Sequence, residues 1–181
     1  MSVILQKRET AWAITVFFII VSFLGGGARS LNREKSAAAE IFFGGSAGDG
    51  FGIQRELDHR INFSHNFITI ANRYIQGNEA VKQVENAREA LINSSDISDK
   101  SKNNLLLTEA VYILYNRLGD EELSEADARY RESLYADIRA RNSIISNDSY
   151  NANAREFNRT LNVFPASIIR TLGIVKELPL F

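Results

Sequence analysis

Hydrophobic residues follow three different regimes along this chain. The first is a solid block. From Ala11 to Leu24 the chain is strongly apolar, with Trp12, Ile14, Val16, Phe17, Phe18, Ile19, Ile20, Val21, Phe23 and Leu24. No charge occurs from Thr10 to Ala28. A helix rising about 1.5 Å per residue spans roughly 28 Å over that run, close to a bilayer's hydrocarbon core. A helix with no polar face does not suit the surface of a soluble bundle. The block therefore predicts a transmembrane anchor over 11–28, after an N-terminal tail over 1–10. The alternative is a signal segment cut at Gly26-x-Ala28, which would release the rest. Basic residues flank both ends, Lys7 and Arg8 on one side and Arg29, Arg33 and Lys35 on the other. The slight excess on the second side leans toward a cytoplasmic bulk domain without fixing the orientation.

The second regime, 29–52, reads as a short helix and a linker. Ser30 to Phe43 has an apolar face of Ala37, Ala38, Ile41 and Phe42. Gly44, Gly45, Gly48, Gly50 and Gly52 then break the helix and predict a flexible loop. A phosphate-binding loop would need Gly-Lys-Ser/Thr opening a helix after a strand, and this loop has no lysine.

The third regime, 53–181, is periodic. Leu57, Ile61, Ser64, Ile68, Ala71 and Ile75 alternate by four and three, a seam with one polar interruption. Gly77-Asn78 marks a weak point. Val81, Val84, Ala87 and Leu91 continue along the next helix, Glu79 to Ile92, and Leu107, Val111, Leu114 and Leu118 form the seam of another, Lys102 to Leu118. Asn93 to Ser101 is a polar connection. Gly119 suits a helix C-terminus, and Ser124-x-x-Asp127 is a start signal. No glycine or proline interrupts the chain from there to Val163, although the apolar phase slips near Asn147-Asp148-Ser149. No strand pattern occurs. The expected fold is all-α, an antiparallel helical bundle with long helices preceded by an N-terminal transmembrane helix.

The last stretch carries the most unusual pattern. Tyr150-Asn151, Phe157-Asn158 and Phe164-Pro165 recur every seven residues, which keeps the aromatics on nearly one helix face. The spacing predicts Tyr150, Phe157 and Phe164 in the core. Pro165 is expected to end the helix and turn the apolar tail back onto the bundle. Asn147, Asn151, Asn158 and Asn162 share a sector of about 60° beside the aromatics. They are read as a solvated polar face, a hydrogen-bonding seam that fixes register, or a surface for a partner.

Composition narrows function mainly by exclusion. The net charge of -1 makes no electrostatic case for nucleic acid, and no cysteine is present for thiol chemistry. Glu56-x-x-His59 has the spacing of half a di-iron site. A complete site needs a second such motif, and His65, the other histidine, has Asn62 three residues before it. No nucleophile-elbow pattern occurs. The sequons at Asn62, Asn93, Asn147 and Asn158 fall mostly within predicted helices and are read as chance. No catalytic residue, cofactor or metal ligand is expected.

With those residues in view, the C-terminal stretch from Tyr150 to Phe181 resembles the end of the bacterial LemA family. The residues that carry the likeness are Tyr150-Asn151, Phe157-Asn158, Phe164-Pro165, Ile168, Gly173 and the closing Pro179-Leu180-Phe181. His59–Leu91 resembles the family's first long helix. The glycine-rich segment over Ile41–Gln54 departs from the family's more continuous entry helix. The resemblance implies a membrane-associated helical bundle over 53–181 with no established biochemical activity. The resulting expectation is a single-pass protein of a bacterial cell membrane and not an enzyme. It would act as a scaffold for protein partners whose identity the sequence does not carry, with Tyr150, Asn151, Phe157, Asn158, Phe164 and Pro165 as the candidate structural or interaction motif.

Overall fold

The computed structural model of the protein describes residues 8–46 and 48–181. Lys7 and most of the 1–10 tail lie outside the described residues, as does Ala47 of the glycine-rich loop. The described residues form seven helices and no strand.

The expected anchor and the expected short helix are one element. Helix α1 runs from Arg8 to Gly44 without a break, through Gly25-Gly26-Gly27. The return of charge at Arg29 predicts a boundary there, and the helix has none. Three glycines cost helical stability. The helix persists because Leu31, Ala38 and Phe42 return on one face and are buried in the bundle, and packing of such a face outweighs propensity. The loop that follows is tied back on itself by Gly50 N–H donating to the Gly44 carbonyl at 2.8 Å. It ends at Gly52, where a Cβ would collide with the carbonyl oxygens of Ile41 and Phe42.

Four helices then build the main bundle: α2 (Ile53–Tyr74), α3 (Glu79–Ile92), α4 (Ile97–Gly119) and α5 (Glu125–Ser146). Polar side chains supply the starts. Asn78, Asp96 and Ser124 each accept a bond from an N–H of the first turn they precede, satisfying donors that a helix leaves open. Neighbours are antiparallel. Glu56 meets Arg141 at one end of the α2–α5 pair, and Tyr74 meets Asp127 at the other. Asn103 of α4 reaches the Ala90 carbonyl of α3.

The seams of α3 and α4 are buried where their spacing put them. The α2 seam is buried at Leu57, Ser64, Ile68, Ala71 and Ile75 and departs at one position. Ile61 is only half-buried, and its neighbour Arg60 lies fully inside beside Leu57, Ser64 and Phe67. Four packing neighbours, α1, α3, α4 and α5, cover more of α2 than a two-helix seam would.

The long uninterrupted stretch after Ser124 is two helices. Asp148 accepts a bond from Tyr150 N–H and starts α6 (Ser149–Asn162). The phase slip at Asn147–Ser149 is thus a real joint. Helix α6 packs antiparallel to α1, with the Phe42 and Tyr150 rings edge to face at 5.4 Å. Short α7 (Ala166–Thr171) follows. Gly173, at a φ of 72° that favours glycine, then sends the tail back along α6 toward Tyr150.

Candidate functional site

The returning tail is fastened by the side chains singled out above. Asn158 donates from Nδ2 to the Leu178 carbonyl and accepts at Oδ1 from the Leu178 N–H, both at 2.8 Å. The Tyr150 hydroxyl donates to the Pro179 carbonyl at 2.8 Å, and Asn151 Oδ1 accepts from Phe181 N–H at 2.9 Å. From α4, Ser101 donates to the Leu180 carbonyl at 2.9 Å. An extended segment has no internal partners for its backbone, so buried N–H and C=O groups must find them elsewhere. Here helix side chains stand in for a neighbouring strand. Burial pushes the Tyr150 phenol well above the usual tyrosine range.

Asn151 is fully buried. Its Nδ2 donates to the Ile145 carbonyl, so one side chain bridges the end of α5 and the tail. Asn162 donates to Glu177 Oε1, which Arg170 also binds. Asn147 plays a different part, donating to the Ser143 carbonyl at the end of α5. The asparagine sector is therefore mostly a seam, and what it grips is the tail.

The aromatic stripe divides. Tyr150 and Phe157 are core, at 0% and 5% exposure. Phe164 is 77% exposed, which corrects the expectation that all three are buried. The cause is local: α6 ends at Asn162, and Val163 takes an extended conformation at ψ 146°. Heptad spacing loses its meaning one residue before Phe164. Pro165 precedes the first residue of α7 and is itself exposed.

Phe164 is not isolated. Val163, Ile168, Leu172 and Ile174 are also exposed. Their partner-facing neighbour, Ile169, is buried, and a Cβ added at Gly27 would lie 2.7 Å from its Cδ1. Leu24 and Ala28 are partly buried against the same core. Helix α7 thus docks on α1 where the uncharged run ends, and turns its other apolar side outward.

No protein-family model, no curated protein and no solved structure matches this chain.

The residues weighed for metal chemistry have other engagements. Glu56 is buried and paired with Arg141 Nη1 at 3.0 Å. His59 stacks on Phe63, with ring centroids 6.2 Å apart. The sequon residue Asn158 holds the tail. Sequence reasoning missed the tail as the occupant of the asparagine seam. The available signal was the count of exposed backbone groups an extended Lys176–Phe181 segment would bring.

Proposed function

We propose that this protein is a single-pass tether of a bacterial cell membrane. Its helical bundle stands directly on the bilayer and serves as a scaffold for other envelope proteins, without catalytic activity. One observation carries the reading. The apolar half of α1 is long enough to cross a membrane and none of it is buried. The exposed apolar side of α6–α7, from Val163 to Ile174, sits beside the point where that half ends. Contiguous exposed apolar surface on one end of a fold suits a protein or membrane contact. Aromatic and apolar side chains next to a spanning helix suit the headgroup boundary. Phe164, Ile168 and Leu172 would act as a foot in that boundary.

The resemblance of Tyr150–Phe181 to the LemA family supports the same reading. Release by cleavage near Ala28 is the weaker alternative, because Leu24, Gly27 and Ala28 help to seat Ile169.

The chain has no cysteine, so single cysteines can report depth. Phe164→Cys in the full-length chain, spin-labelled and reconstituted in liposomes, should be reached by oxygen in preference to a polar nickel chelate. Asp49→Cys, in the loop beyond Gly44, where α1 ends about 25 Å of helical rise past Gly27, should show the reverse. A label at 164 as open to the chelate as the label at 49 would refute the foot. Recovery of the intact chain in the soluble fraction would remove the tether.

A further inference from the structure

Arg60 is the largest fully buried side chain among the described residues. Its partners are neutral. Nη1 donates to Asn142 Oδ1, Nη2 donates to Thr108 Oγ1 at 2.6 Å, and Nε has no partner. Among the described residues no carboxylate pairs with it. The acid one turn earlier on the same face, Glu56, is taken by Arg141, and Asp58 accepts from Gln54. Burial pushes the guanidinium pKa down to about 10, still well above neutrality, so the charge remains. A buried charge without a counter-charge is costly, and water can fill a hydrogen-bond vacancy but brings no charge. The sequence could have placed an apolar residue here, as α2 does at Leu57 and Phe67.

A half-open cavity of about 410 Å³ between α2, α4 and α5 lies over Arg60. That volume lies within the range of small-molecule sites. A second guanidinium, Arg139, shares the lining, and no acidic residue does. Asn142, engaged through its oxygen, keeps its amide N–H groups for another acceptor, and Ser143 and Tyr112 add hydroxyls. Val111, Tyr135 and Ile138 make the remaining walls apolar. The lining is thus rich in donors, doubly positive and partly greasy.

We propose that this cavity binds a small organic anion, with its carboxylate between Arg139 and the Asn142 amide, above the Arg60 charge, and its apolar body against Tyr112 and Tyr135. A planar carboxylate matches the donor fork of arginine. Arg60 is itself sealed beneath the cavity, so it acts on the anion through its uncompensated charge and through Asn142, whose oxygen it holds.

Thermal unfolding of the full-length chain in detergent tests this, with sodium benzoate as probe against sodium chloride at matched ionic strength. Benzoate should raise Tm saturably and chloride should not. Arg139→Ala should weaken the benzoate response at least about tenfold, the loss expected for one charge-assisted contact. Asn142→Asp is the sharper variant, because it places a carboxylate against Arg60. It should raise Tm without ligand and abolish the benzoate response. Arg60→Met should also lose the response. Should that variant fail to fold, Asn142→Asp and Arg139→Ala still decide the matter. Three outcomes overturn the proposal: no saturable shift with benzoate, a shift that survives in Asn142→Asp, or a lower Tm for ligand-free Asn142→Asp. A response to inorganic phosphate in place of benzoate would overturn the carboxylate assignment.

Discussion

Asn158 and Leu178 exchange two hydrogen bonds, side-chain amide to backbone amide, each 2.8 Å long. That pairing fixes an irregular, extended segment to a helix. It leaves Leu178 buried with both its polar backbone groups satisfied.

Asn158→Ala should therefore cost about 1–3 kcal/mol, because two backbone groups lose their partners together. The gain in helix propensity from alanine is smaller. Hydrogen exchange localises the effect: the Leu178 amide should exchange faster, while amides of α3 and α4 stay protected. Unchanged exchange at Leu178 would mean that the tail holds without the asparagine.

The divided aromatic stripe separates two substitutions that look alike in sequence. Phe157→Ala should cost about 3–5 kcal/mol, as removal of a buried ring does. Phe164→Ala should stay within about 0.5 kcal/mol, as exposed positions do. Denaturant unfolding of both variants in detergent checks the contrast. Equal losses would put Phe164 in the core after all.

Asp127 ties α2 to the start of α5. The Tyr74 hydroxyl donates to it at 2.7 Å, and it also pairs with Arg73 at 2.8 Å. The Tyr74 bond, with help from Ser124 and Arg73, holds its carboxyl below the usual value of 3.8. The unfolded chain thus binds the proton more readily, so stability from this group is present above the ordinary carboxylate value. It is lost as pH falls through the depressed one. Asp127→Asn should lower Tm at neutral pH, and the gap from the native chain should close as the solution is acidified through that window. A gap independent of pH would show that charge is not the cause.

Gly52→Ala should destabilise by about 1–3 kcal/mol through overpacking against the Ile41 and Phe42 carbonyls. Gly44→Ala, with open space at its Cβ, is the control and should be near neutral. Thermal unfolding of the two variants side by side gives the comparison.

Much of this arrangement was legible in the residues themselves. The uncharged run from Thr10 to Ala28 depends on composition alone. The seams of α3 and α4 follow from 3.6-residue periodicity on helices that bury one stripe. Ser124 and the joint near Asp148 are local, since a cap bonds to groups a few residues away. Local signals of this kind survive in a sequence because they are settled within one or two turns.

What only the tertiary structure decided depends on elements far apart in the chain. The Gly25–Gly27 stretch stays helical because Leu31, Ala38 and Phe42 pack against the bundle, so the apolar run and the entry helix form one helix. Arg60 rather than Ile61 is fully buried because α1, α3, α4 and α5 close around α2. The asparagine sector could have faced water, a helix or a partner. Its occupant is the tail, which Gly173 turns back to within hydrogen-bond reach. Periodicity states which residues share a face. It does not state what covers that face, because burial is set by the three-dimensional path of residues far away along the chain.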